Sequence, residues 1–304
     1  MSDVTLRNKL QAGEMVLCGG VWDSLSAIIE ERAGFDAVKL GSSQLNASLG
    51  LPDLGLVTAS QVRDRIYNIC EHIHIPLIVD FESGFGSEKD IASAAYWAGE
   101  FERAGASAIH IDDYGDDKCP WLPPYIPEMM SAESVANKIS AICERRKSDD
   151  FMIIVRSGAT SSCSYTDKEA AFEESMRRFK MWKAAGADVI WPRCFSEEHL
   201  IRARDELGGF LSQSVASKVG QGRVGAGGRT EVKYYSAKDY HEMGYNLLTV
   251  GATMQTIFMK TLAQASELMV KSGGSAAEID DMAMPFNEWI ELVDFSYWNK
   301  MNGN

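Results

Sequence analysis

The 304-residue chain is short of basic residues. It has 30 lysines and arginines against 43 aspartates and glutamates, a formal charge of −13. Such a surface repels nucleic acid and anionic lipid, so neither is expected as a partner, and an anionic substrate has to meet a local basic pocket. No apolar run reaches the roughly 18 residues that cross a bilayer. The opening stretch, Met1-Ser-Asp-Val-Thr-Leu-Arg-Asn-Lys9, has no apolar signal core, so secretion is not expected and the chain reads as cytoplasmic. There is no Cys-x-x-Cys pair: Cys18, Cys70, Cys119, Cys143, Cys163 and Cys194 are scattered. That argues against structural zinc and a thioredoxin-like motif, and suits a reducing compartment. No Pro/Gly/Ser-rich linker or charge block divides the chain, so a single large domain is expected.

Strand and helix signals alternate along the whole sequence. Short apolar runs occupy 16–20, 36–41, 76–81, 108–113, 151–156, 187–191, 209–213 and 247–251. Helical stretches fall at 24–33, 59–71, 87–104, 131–146, 167–185, 197–207, 236–243 and 253–270, with a loop of small residues over 42–56. Asp23 is placed to cap the first helix. Ala33-Gly-Phe35, Ala104-Gly-Ala106 and Ala185-Gly-Ala187 repeat one helix stop, because glycine accepts the left-handed conformation there. Eight units in one series predict an α/β fold, a (β/α)8 TIM-type barrel over residues 1–271. The extension over 272–304 carries Met282, Met284, Phe286, Trp289, Phe295, Tyr297 and Trp298. So apolar a tail needs a partner surface, either its own barrel or another subunit.

In such a barrel the site lies at the C-terminal ends of the strands. Asp80-Phe-Glu-Ser-Gly-Phe-Gly86 and Ile109-His-Ile-Asp-Asp113 both end apolar runs in carboxylates. Asp80, Glu82, Asp112 and Asp113 are therefore candidates to meet at one mouth. Clustered acids repel unless a cation neutralises them, and oxygen ligands suit Mg²⁺. The alternative is that each acid only caps a helix. The other strand ends contribute Gly41, Ser42 and Ser43, then Tyr114, Arg156, Arg193 and Ser214. Guanidinium offers a bidentate fork for a substrate carboxylate or phosphate, or for one of the acids. His110, between two isoleucines, reads as a packed side chain. Gly220-Gln-Gly-Arg-Val-Gly225 has the spacing of a dinucleotide loop without the following helix, so it reads as a loop over the mouth whose Arg223 and Arg229 could reach an anion. The Ser161–Tyr165 loop offers only unspecific hydroxyls.

Six segments together resemble the isocitrate lyase / phosphoenolpyruvate mutase superfamily. They are Gly20-Val-Trp-Asp-Ser-Leu-Ser26, Ala33-Gly-Phe35, Ser48-Leu-Gly-Leu-Pro-Asp-Leu-Gly55, Asp80-Phe-Glu-Ser-Gly-Phe-Gly86, Ile109-His-Ile-Asp-Asp113 and Ile154-Val-Arg-Ser157. The resemblance implies an α/β barrel whose last helix swaps between subunits of a homodimer or homotetramer. It also implies Mg²⁺ (or Mn²⁺) chemistry on a carbon–carbon or phosphorus–carbon bond beside the oxyanion of a 2-oxo acid. It assigns the metal to Asp80, Glu82 and Asp112, with Glu82 replacing an aspartate and Asp112 a glutamate. It assigns Arg156 to a substrate carboxylate, Asp53 to the loop after the second strand, and Gly41, Ser42 and Ser43 to the oxyanion loop.

The same resemblance shows departures. The lyases' gating loop carries a Cys-Gly-His; here Lys118-Cys-Pro-Trp-Leu-Pro-Pro124 retains only Cys119, which is either the acid/base or inert. Tyr114 stands where the mutases carry lysine, and their asparagine is missing. Arg193 stands where the lyases place a glutamate, and could hold a second carboxylate. The expected activity is a carbon–carbon lyase or decarboxylase on a small 2-oxo or 2-hydroxy di- or tricarboxylic acid. Proton transfer would fall to Cys119, Tyr114 or a metal-bound water. Mutase or phosphonopyruvate hydrolase chemistry and a non-catalytic binding protein are the alternatives.

Overall fold

The computed structural model describes residues 5–115, 128–160, 167–215 and 235–302. At its centre is a closed barrel of eight parallel strands, each paired with the next in chain order and the last with the first. The strands are β1 (Val16–Val21), β2 (Ala37–Leu40), β3 (Leu77–Asp80), β4 (Ala108–Asp112), β5 (Met152–Arg156), β6 (Val189–Trp191), β7 (Phe210–Ser214) and β8 (Leu247–Thr249). The helices around it begin with α1 (Leu6–Gln11), α2 (Ser24–Ala33), α3 (Ser42–Ser48), α4 (Ala59–Cys70), α5 (Ile91–Arg103) and α6 (Ala132–Arg145). They continue with α7 (Lys168–Ala185), α8 (Glu197–Leu207), α9 (Ala237–Glu242) and α10 (Thr253–Lys271), then α11 (Phe286–Leu292) and α12 (Phe295–Met301). The (β/α)8 barrel expected from the alternation is the fold observed.

Strand periodicity sorts the side chains. Val16, Cys18, Ala37, Ile78, Ala108, Met152, Ile154, Val189 and Leu247 point inward and form one buried apolar cluster. The residues between them, such as Val38, Val79, Ile109, Ile153 and Leu248, belong to a second cluster beneath the helices. Every strand is thus covered on both faces, as a parallel barrel requires. Leu6 and Leu10 of α1 join the inner cluster and close it from the end opposite the mouth. Towards the C-terminal ends the inward positions turn polar: Lys39, Asp80, Asp112, Arg156, Ser214 and Thr249 line one cavity.

Two elements differ from the sequence reading. The segment after β2 opens as helix α3, where Asn46 Nδ2 donates to Ser42 O at 2.9 Å and Leu45 is buried. Its small polar residues carry no periodic signal, so tertiary packing decides its conformation. α1 was not legible either; Thr5 caps it by accepting from Asn8 N. No described helix is long and apolar enough to cross a membrane.

Candidate active site

The loop after β3 is held in an unusual shape. Glu82 and Phe85 have φ of 58° and 53°, in the left-handed region that non-glycine residues seldom occupy. Three contacts hold it. Phe81 N donates to His110 O at 2.8 Å and Asp112 N to Glu82 O at 2.7 Å, stitching the loop to β4. Lys138 of α6, fully buried, donates to Ser83 O and Ser87 O, both at 2.8 Å. Phe81, Phe85 and Phe101 pack edge to face beneath it. Such strain persists only where the surroundings over-determine it.

Asp80 and Asp112 face each other across the mouth. Asp112 accepts a fork from Arg156, Nε at 2.8 Å and Nη2 at 2.6 Å. Burial works against its ionised form, but Arg156 and His110 outweigh burial and hold the carboxyl well below the usual range. Arg156 is likewise kept cationic, Asp112 outweighing the cost of burial. Lys39 Nζ lies 2.7 Å from His110 Nδ1 and 4.0 Å from Asp80 Oδ2. Burial pushes Lys39 down and Asp80 pulls it back. His110 is depressed to about 4, by burial first and then by Lys39, so its ring is neutral at pH 7. With Lys39 donating to Nδ1, the ring proton sits on Nε2, 3.4 Å from Asp112 Oδ1. Trp191 underlies the group: Lys39 and Arg156 stand 4.9 and 5.2 Å from its ring centre.

Lys39, Asp80, Asp112, Arg156 and Trp191 line a cavity of about 120 Å³, together with Gly41, Ser42, Ser43, Asp53, Glu82, Tyr114 and Arg193. Among the described residues, Gly41, Ser42, Ser43, Asp53, Asp80, Glu82, Asp112, Tyr114, Arg156 and Arg193 all line this mouth, and Asp113 does not. Ser42 N and Oγ both lie 3.4 Å from Asp80 Oδ2, and Ser42 Oγ the same distance from Asp53 Oδ2. The cavity adjoins a larger cleft of about 500 Å³ that shares Ser42, Asp80, Glu82 and Tyr114 with it. The Tyr114 hydroxyl and the Trp191 Nε1 are buried with no hydrogen-bond partner among the described residues.

Asp113 corrects the sequence reading. The candidate set had it beside Asp112, but one residue along a strand reverses the side chain. It accepts from Ser157 Oγ at 2.8 Å, from Gly158 N, and from Arg178 Nη1 at 3.0 Å. Burial raises it to about 6, and it anchors the neighbouring unit. For Arg156, the acid-pairing alternative is realised with Asp112; the fork leaves Nη1 outside it. Lys39 and Trp191 were missed. Each is an inward position near a strand end, which the strand register reveals and the apolar run conceals. Cys119 and the 118–125 gate, Arg223, Arg229 and the 220–225 loop, and the 161–165 loop lie outside the described residues.

Asp80, His110 and Asp112 bring ligand atoms within 4.8 Å of one another. His110 does not fit a metal, since one ring nitrogen is engaged by Lys39 and the other carries the proton. Asp80 and Asp112 do fit, being the carboxylate oxygens that a hard divalent cation takes, and Glu82 lines the same cavity.

A family model described as phosphoenolpyruvate phosphomutase matches residues 6–270. The chain is 28% identical over 292 residues to a 2,3-dimethylmalate lyase of Eubacterium barkeri, covering 95% of this chain and 92% of that one. It is 28% identical over 301 residues to a 2-methylisocitrate lyase of Aeropyrum pernix, covering 98% and 89%. A solved phosphonopyruvate hydrolase in complex with oxalate and Mg²⁺ superposes with a TM-score of 0.81 at 22% identity, covering 99% of this chain and 98% of that one.

Proposed function

The chain belongs to the phosphoenolpyruvate phosphomutase family, and from that premise we propose that it is a divalent-metal-dependent carbon–carbon lyase or decarboxylase. Its substrate is a small 2-oxo or 2-hydroxy di- or tricarboxylic acid. The observation that carries this reading is the convergence, in one small cavity, of Asp80, Glu82 and Asp112 with Arg156 and Arg193. Arg156 offsets Asp112, and the same lining offers further carboxylate oxygens suited to a hard cation and a second guanidinium suited to a carboxylate.

Asp80, Glu82 and Asp112 are the residues that would hold Mg²⁺ or Mn²⁺, whose preference for oxygen donors they match. A divalent ion held there would supply Lewis-acid polarisation of the 2-oxo or 2-hydroxy oxygen and so favour an enolate. Arg156 binds one substrate carboxylate and Arg193 a second. The Gly41–Ser43 segment begins α3 without a side-chain cap, and its amides face the developing oxyanion. Asp53 orients Ser42. Tyr114 is kept as a phenol by burial and is one candidate for the proton donor to the enolate carbon; Cys119 is the other. The two lyase relatives, matched over most of both chains, support the carbon–carbon reaction.

The test is a product assay with oxaloacetate, 2,3-dimethylmalate, 2-methylisocitrate and phosphonopyruvate, each with Mg²⁺. Proton and phosphorus NMR read the products. A 2-oxo acid or oxalate released from a carboxylic acid substrate is expected. Turnover of phosphonopyruvate alone would favour phosphorus–carbon chemistry, the second reading, which the extra Arg193 and the Mg²⁺–oxalate neighbour also suit. Binding of these acids without turnover of any would favour a non-catalytic barrel.

The extension over 272–304 is proposed to pack on a neighbouring subunit, giving a homo-oligomer. α10 buries only Gln255, and Phe286, Trp289, Phe295, Tyr297 and Trp298 are exposed.

A further inference from the structure

Lys39 has no part in the reaction proposed above, yet it is buried on the inner wall of the mouth. Burying an ammonium group is costly unless it is paired. Its nearest partners are His110 Nδ1 at 2.7 Å and Asp80 Oδ2 at 4.0 Å. The face of Trp191, 4.9 Å away, adds a weaker attraction. Lys39 therefore leans on the same carboxylate that a metal needs. Through the His110 ring it also reaches Asp112, 3.4 Å beyond Nε2.

The charge around the cavity gives this contact a consequence. Among the described residues, four carboxylates (Asp53, Asp80, Glu82 and Asp112) face three cationic side chains, Lys39, Arg156 and Arg193. A divalent ion added to that set leaves one net positive charge. Without Lys39 it would leave none. The lining thus carries one net negative charge before the ion arrives and one net positive charge after, so Lys39 offsets part of the pull on the ion at Asp80 and leaves a positive charge that an anionic ligand neutralises, in a place where little water screens it.

We propose that Lys39 is a resident counter-cation that shares Asp80 with the metal and makes the divalent ion and an anionic ligand bind cooperatively. It is a positioning residue: it acts through Asp80 and His110, and the proposal requires no contact with substrate. The inference rests on the acids being a metal site. Coupling between two ligands is reciprocal, so it can be read from the metal side with no turnover.

The experiment is calorimetric titration of the whole protein with Mn²⁺, with and without saturating oxalate, a small dianion with the oxygen spacing of a 2-oxo acid. In the wild type, oxalate is expected to tighten Mn²⁺ binding by about tenfold or more. Lys39→Gln keeps a donor for His110 and removes the charge. It is expected to bind Mn²⁺ alone about tenfold more tightly than wild type, and to gain less than about threefold from oxalate. Lys39→Arg keeps the charge and should keep the wild-type pattern. Wild-type affinities in both arms for Lys39→Gln overturn the proposal, as does a wild type whose Mn²⁺ affinity ignores oxalate. If Lys39→Gln lacks a cooperative melt, Lys39→Met takes its place with the same two outcomes. No Mn²⁺ binding by the wild type in either arm overturns the metal reading itself, and the role of Lys39 with it.

Discussion

Asp112 and Asp113 are adjacent in sequence and opposite in fate. The first points into the mouth and is held ionised by Arg156; the second points under the helices and is held by Arg178 and two donors of the next loop. Asp80, Glu82, Arg156 and Arg193 were legible because a charge at the end of an apolar run has few other reasons to be there. Lys39 and Trp191 were not, because inside a run the same residues read as an interruption or as core. The fork on Asp112 gives a sharp expectation. Arg156→Lys keeps the charge but loses the planar pair, so kcat/KM should fall by about 100-fold or more, with a lower melting temperature from the weakened hold on buried Asp112. Steady-state kinetics on the substrate that turns over would check it, and a loss below threefold would remove Arg156 from the machinery. Glu30 makes a second prediction. It is buried on α2 with no well-formed hydrogen bond to either carboxylate oxygen, and burial raises it from 4.5 to about 7. A carboxyl whose folded pKa is raised binds its proton more tightly in the folded state, so its penalty is absent below about pH 4.5 and complete above about pH 7. Stability should fall across that window by up to about 3 kcal/mol, and Glu30→Gln should flatten the fall. Urea titrations at pH 5 and pH 8 measure it; equal slopes with pH for both proteins would refute it.

At the scale of elements, most boundaries followed from chemistry visible in the chain. α2 and α7 stop at Gly34 and Gly186, with φ of 95° and 114°, where only glycine is at ease. α2 starts on the Asp23 side chain, which accepts from Ser26 N. α3 and the left-handed turn at Glu82 and Phe85 were not visible, because neighbours impose them. Lys138 is the neighbour that can be removed. Its ammonium satisfies two carbonyls of the loop after β3. Lys138→Met should therefore cost about 2–4 kcal/mol of stability, from two buried acceptors left unmet. It should also weaken Mn²⁺ binding, because Glu82 loses its imposed geometry. A urea midpoint and an Mn²⁺ titration on the same sample test both, and unchanged values would show that the loop holds itself. Gly20 is a different kind of constraint. A Cβ there would stand 1.9 Å from the Gly251 carbonyl oxygen, which is backbone and cannot swing away. Gly20→Ala is expected to cost more than about 2 kcal/mol by forcing β1 and the β8 end apart, read by the same denaturation.

At the scale of the whole molecule the chain leaves a surface unfinished. The barrel covers both faces of its strands, but the helices after it do not cover themselves. Ile257, Phe258 and Leu262 on α10, and Phe286, Trp289, Phe295, Tyr297 and Trp298 beyond it, are exposed. Arg32 of α2 donates to Glu291 O at 2.8 Å and pairs with Asp294 at 3.7 Å. One exposed arginine cannot dock so apolar an arm, since an ion pair open to water contributes about 1 kcal/mol at most. The sequence announced the arm by its aromatic content but not its geometry, because a segment whose partner lies on another chain carries no record of that partner in its own periodicity. Light scattering of the full chain at micromolar concentration should give a dimer or larger. Removal of residues 272–304 should give a smaller or aggregating species, and Trp289→Asp with Trp298→Asp should shift the intact chain towards monomer. A full-length protein that runs as a stable monomer, with the double variant indistinguishable from it, would mean that the arm is covered by its own barrel in solution.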